Sequence, residues 1–102
     1  MFQPHLYSRV INFAEEFGKS FSCADIVYIT NIFGSRELPI DGVTSELLID
    51  RIKEDSEVDV RFVDDIEELP NLVAKEAKEG DIVISLGAGD INKYLKMIPD
   101  FI

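Results

Sequence analysis

Three short runs rich in apolar, β-branched residues constrain this chain more than anything else in it. Asp25-Ile26-Val27-Tyr28-Ile29-Thr30 and Asp81-Ile82-Val83-Ile84-Ser85-Leu86 are the clearest, and residues 58–63 form a shorter third. Runs that stay apolar at successive positions predict strands covered on both faces, the condition of a parallel sheet. Parallel strands cannot be joined by tight hairpins. They need crossovers of a dozen or more residues, usually helical.

Helical patterns lie where such crossovers belong. Val10, Phe13, Ala14, Phe17 and Phe21 recur at helical spacing and predict one broad apolar stripe. Leu47, Leu48 and Ile52 mark a second helix, with Thr44 or Ser45 as its cap. Asp65 and Glu68 stand at capping-box spacing before Leu69, Leu72, Val73 and Ala77. Pro70 fits only the first turn of that helix, and Gly80 is read as its stop. A last short helix is expected over residues 91–97.

The expected fold is therefore α/β: a Rossmann-like, doubly wound, mostly parallel sheet with helices on both faces and a truncated first strand. At 102 residues the chain reads as a single domain over 1–102. Its formal net charge of −10 argues against nucleic acid and against anionic membranes as partners. No apolar run approaches the roughly 20 residues that span a bilayer. The lone Cys23 excludes an internal disulfide and fits a cytoplasmic location; its place before an apolar run predicts a small buried side chain.

In sheets of this kind ligands bind beyond the carboxyl ends of the strands. Three loops qualify: residues 5–9, 31–43 and 87–90. His5 and Arg9 together suit a carboxylate or phosphate, or else His5 is a structural histidine beside a proline turn. Arg36 and Glu37 either face a ligand or pair with each other. Gly87, Gly89 and Asp90 form either an anion-binding turn or a tight turn whose Asp90 caps the next helix. The third glycine of a dinucleotide fingerprint is missing, because position 92 is Asn92. Gly18-Lys19-Ser20 imitates the end of a P-loop but has Phe13 where the first glycine belongs. Asp64 and Asp65 could hold magnesium as in a receiver domain, or simply cap a helix. No metal site is expected on this chain.

The segments Phe2-Gln3-Pro4-His5-Leu6-Tyr7-Ser8-Arg9, Ser35-Arg36-Glu37-Leu38-Pro39-Ile40-Asp41-Gly42-Val43-Thr44-Ser45-Glu46 and Leu86-Gly87-Ala88-Gly89-Asp90-Ile91, in that order, resemble the C-terminal domain of the ATP-dependent Mur ligases of peptidoglycan synthesis. The resemblance covers nearly the whole chain. It implies a domain that closes over a central domain carrying ATP and magnesium, with N-terminal and central ligase domains as its partners. It implies UDP-N-acetylmuramate, L-alanine and ATP as substrates of the whole enzyme, and an acyl-phosphate intermediate. It also implies that His5 and Arg9 face the cleft as substrate-binding residues; Arg36 is a further substrate-binding candidate from the reading of its loop alone. Leu6 departs from the family pattern, which often has arginine there, and Val10 stands where threonine is common. On this reading the chain is a fragment without ligase activity of its own. The competing reading is a stand-alone phosphate-binding or regulatory module resembling a receiver domain.

Overall fold

The computed structural model describes residues 1–102. Its regular elements are α1 (Tyr7–Ser20), β1 (Ile26–Thr30), α2 (Ser45–Asp55), β2 (Asp59–Val63), α3 (Leu69–Glu76) and α4 (Ile91–Met97). Short 3-10 turns, Ile66–Glu68 and Ile98–Phe101, precede α3 and follow α4. The chain is α/β, with a small parallel sheet and four α-helices. β1 pairs with β2 in register from Ile26 opposite Asp59 to Thr30 opposite Val63.

Residues 1–3 extend this layer. Phe2 bridges Ile29 on one side and Leu86 on the other, both in parallel sense. The spatial order is thus residues 84–86, residues 1–3, β1, β2. The backbone confirms it: Phe2 N donates to Tyr28 O at 2.7 Å, and Gln3 N donates to Leu86 O at 2.9 Å.

Alternation along β1 divides the interior in two. Val27 and Ile29 point to one face, where they meet Phe2, Val10 of α1, and Leu48, Ile49 and Ile52 of α2. Tyr28 points to the other, with Val63, Leu69 and Val73 of α3, Ile91 of α4 and Ile98. Both faces are covered, as continuous apolar runs require. Each fully buried Leu or Ile here stabilises the fold by about 1.5–3 kcal/mol relative to exposure.

Local chemistry accounts for most element ends. Thr44 caps α2, its hydroxyl accepting from Glu46 N. The neighbouring Ser45 hydroxyl donates to Thr30 O at 2.6 Å and fastens the start of α2 to the end of β1. Asp65 accepts from Glu67 N and opens the 3-10 turn, so Pro70 falls in the first turn of α3 as expected.

Five expectations fail. Residues 81–86 form no regular strand: only Leu86 bridges, while Ile82 is 85% exposed and Ile84 61%. Half of the neighbouring ladder is missing there, because residues 1–3 reach no further back than Ile84. Phe13 leaves the apolar stripe, with non-helical φ −123° and ψ 18° that kink α1 and expose the ring. Cys23 is exposed rather than buried, because it lies in the turn between α1 and β1. α3 stops at Glu76, ahead of Gly80, whose φ of 93° serves a separate turn closed by Lys78 N donating to Asp81 Oδ2. Asp90 stands at the N-cap of α4 but makes no capping bond.

The Gly18-Lys19-Ser20 triplet lies in the last turn of α1, as its helical context predicts. A Cβ on Gly18 would stand 3.0 Å from Arg51 Cβ and 3.1 Å from the Arg51 carbonyl carbon. This glycine serves close packing of α1 on α2.

Candidate functional site

The carboxyl edge of the sheet gathers three loops around Phe33. Phe33 N donates to Pro4 O at 2.8 Å, and Leu6 N donates to Phe33 O at 3.0 Å. This short ladder aligns the His5 ring on the Phe33 ring, stacked with centroids 5.9 Å apart. The third loop packs beneath them. A Cβ on Gly89 would lie 2.6 Å from Gln3 Oε1 and 3.2 Å from Phe33 Cγ. A Cβ on Gly87 would meet Ile91 Cγ2 at 2.9 Å. Gly87 is thus tightly packed, whereas the nearest atom to Gly89 is the end of the flexible Gln3 side chain, and Asp90 Oδ1 accepts a long 3.4 Å bond from Gln3 Nε2 instead of capping α4.

The backbone beside His5 is strained. Leu6 has φ 64° and ψ 128°, a conformation that costs an L-residue free energy. It turns the chain abruptly from the sheet edge into α1. Leu6 offers no side-chain cap, and the N-terminus of α1 is satisfied from outside the helix. Glu37 accepts from Ser8 N at 2.8 Å and from the Ser8 hydroxyl at 2.6 Å. These bonds, the hydroxyl first, hold the Glu37 carboxyl below the usual glutamate range.

Ser8 precedes Arg9 and Glu37 follows Arg36, so the Ser8–Glu37 bonds join the two chain segments that carry these arginines. Both arginines are exposed, and neither forms an ion pair; the structure's ion pairs use Lys19, Arg51 and Arg61. The expected choice for Arg36 and Glu37 resolves accordingly: Glu37 turns to α1 and leaves Arg36 unpaired. Two exposed guanidinium groups without ion-pair partners, on segments that adjoin the His5 turn, are of a chemistry suited to an anion, especially a planar carboxylate or a phosphate. His5 Nδ1 and Gln3 Oε1 are buried without partners at the same edge.

The acidic pair is engaged otherwise. Asn31 Nδ2 donates to Asp64 O at 2.9 Å and to Asp64 Oδ1 at 3.0 Å, and Asp65 caps the 3-10 turn. These residues border an open groove of about 260 Å³ together with Gln3, Thr30 and Phe33.

Comparison with known proteins decides the family. The family model described as "Mur ligase, glutamate ligase domain" matches residues 6–89, most of the chain. The chain belongs to the Mur ligase family. Among its relatives, the UDP-N-acetylmuramate–L-alanine ligase of Sorangium cellulosum is 44% identical over 95 residues, covering 93% of this chain and 20% of the relative. That of Cutibacterium acnes is 48% identical over 90 residues, 88% of this chain and 19% of the relative. That of Caldicellulosiruptor saccharolyticus is 40% identical over 100 residues, 98% of this chain and 22% of the relative. The chain spans about a fifth of the length of these curated relatives.

In this Mur ligase domain the sequence-derived candidates form two groups. His5, Gly87, Gly89 and Asp90 converge through Gln3 and Phe33. The segments of Arg9 and Arg36 are joined through Ser8 and Glu37. Sequence reasoning passed over Gln3, Phe33 and the Ser8–Glu37 pair as organisers of the site. Only Glu37 carried a signal, as an acid next to Arg36 in a long loop at a strand's end. No helix of the domain is long and apolar enough to cross a membrane.

Proposed function

We propose that this chain is the C-terminal, closing domain of a three-domain, ATP-dependent cytoplasmic ligase that joins L-alanine to UDP-N-acetylmuramate. Its layer is the Rossmann-like, doubly wound type, with residues 1–3 as part of its first strand. The observation that carries the reading is the Ser8–Glu37 link between the segments of Arg9 and Arg36, two exposed cations outside the structure's ion pairs, in a chain of this family. In the reaction the muramoyl carboxylate is phosphorylated by ATP, and the alanine amine displaces phosphate from the acyl phosphate. Arg9 and Arg36 bind and orient an anionic group, the alanine carboxylate or the charge developing on the departing phosphate. Fixed cations aimed at developing charge lower such barriers. His5, held flat on Phe33, supplies a directed hydrogen bond at the same rim.

Magnesium accompanies ATP in such chemistry, but this chain's residues do not fit it. No three His, Cys, Asp or Glu side chains converge, and Asp64, Asp65 and Asp90 are engaged with Asn31, the Glu67 amide and Gln3. ATP and magnesium are therefore assigned to the central domain.

The test uses the full-length enzyme containing this domain. Phosphate release should require UDP-N-acetylmuramate and L-alanine together, and Arg9→Ala should lower kcat/KM by about 10²–10³-fold with an unchanged circular dichroism spectrum. The isolated chain should release no phosphate above background. Wild-type turnover in the Arg9→Ala enzyme would remove Arg9 from the mechanism, and robust turnover by the isolated chain would overturn the domain assignment.

A further inference from the structure

The loop that carries Arg36 is held at its entry by backbone and packing, and beyond that by one side chain. Phe33 is fixed on both sides, its N–H donating to Pro4 O and its carbonyl accepting from Leu6 N. Gly34 follows, pressed so closely by the Tyr7 ring that a Cβ there would lie 2.7 Å from Tyr7 Cε2. Residues 34–37 then make a tight turn, closed by Glu37 N donating to Gly34 O at 2.9 Å, with Arg36 in its third position. Past the turn, residues 38–42 are all exposed, and their backbone bond, from Val43 N to Ile40 O, is internal to the loop. Across residues 34–42 the only side-chain hydrogen bonds are those of Glu37 with Ser8.

The physical setting suits a clasp. α1 has no acid in its first turn and no side-chain cap, so its free N–H groups favour a carboxylate brought from outside the helix. Both Glu37 oxygens are engaged: Oε1 accepts from the Ser8 amide and Oε2 from the Ser8 hydroxyl, which fixes orientation as well as distance. The non-glycine residues at positive φ are Leu6 and Ser35, one on each side of this link. Such strain persists where the surroundings over-determine it, and it gathers at working sites. Cutting the link would leave the Ser35 turn free to relax.

We propose that Glu37 is a positioning residue: by clasping Ser8 it seats the Gly34–Glu37 turn on the first turn of α1 and fixes the backbone from which Arg36 reaches a substrate anion. This role rests on the ligase reading of Arg36. Glu37 itself acts only through that arginine, since its carboxylate is occupied by α1. A binding group displaced by about 1 Å can cost about 10²-fold in rate, so a loosened turn is expected to tell on catalysis.

The experiment uses the full-length enzyme. In Glu37→Ala, amide exchange at Ser8 and at position 37 should speed up at least about tenfold, with exchange in β1 unchanged. Its kcat/KM for L-alanine should fall about 10–10²-fold. The deciding measurement is the same substitution in an Arg36→Ala background, where it should lower kcat/KM no further, because the group it positions is gone. An equal fold-loss in both backgrounds would show a merely structural role and overturn the proposal. So would unchanged exchange at Ser8 and position 37, or wild-type turnover in Glu37→Ala. Should Glu37→Ala fail to fold, Ser8→Ala removes the hydroxyl bond alone; it should give a smaller loss that likewise disappears in the Arg36→Ala background, and persistence of that loss there overturns the clasp. Wild-type turnover in Arg36→Ala alone would remove Arg36 from the ligase reading and Glu37 with it. A loss in Arg36→Ala with none in Glu37→Ala would overturn the positioning role and leave that reading standing.

Discussion

Leu6 combines an unfavourable φ of 64° with a pivotal place between His5 and Arg9. Strain of this kind persists where surrounding bonds over-determine it, and here Leu6 N is held by Phe33 O while α1 begins one residue later. Leu6→Ile keeps the volume but moves the branch to Cβ, where positive φ is least tolerated. It should destabilise the domain by about 1–2 kcal/mol in urea unfolding. Glu37 acts on the same turn from the other side. Its folded pKa is depressed, so its contribution is complete above the ordinary glutamate value of about 4.3 and is lost as pH falls through the lower folded value. The Tm advantage of the wild type over Glu37→Gln should therefore be greatest near neutral pH and shrink below about pH 4. A constant difference across that range would show that the carboxylate charge is immaterial.

Among the elements, the α1–α2 contact depends on a missing side chain. Gly18 is buried with Arg51 backbone 3.1 Å from where its Cβ would be, so Gly18→Leu must push the helices apart. A cost of about 1–3 kcal/mol is expected, read from the urea midpoint at unchanged slope. How far the elements were legible in the sequence follows from how local their causes are. β1 and α2 were readable because apolar run, cap and spacing all lie within a few residues. The candidate site was legible only as residue types: His5, Arg9 and Arg36 stood out at strand ends. The groupings through Gln3, Phe33 and Glu37 depend on partners roughly 30 to 90 residues apart, and no short window contains them. Residues 81–86 misled for a related reason. A strand is a property of a pair, and an ideal strand sequence stays irregular where its neighbour is absent.

For the whole molecule, the partition of the interior has a thermodynamic consequence. Neither apolar cluster is complete without β1, since Val27 and Ile29 serve one and Tyr28 the other. A central strand shared in this way couples the two sides: loss of β1 strips the inner wall from both at once. Heat should therefore unfold the domain in a single transition, with calorimetric and van't Hoff enthalpies equal. Two resolved peaks, or a van't Hoff value near half the calorimetric one, would show that the helix pairs melt separately. Tryptophan is absent, and of the three tyrosines that can report optically the one on the central strand is Tyr28. It faces one core and bonds to Arg61, whose guanidinium also engages Asp59 and Glu76. Tyr28 registers the fate of its own side, and the near-ultraviolet tyrosine signal should vanish at the same temperature as the helical one.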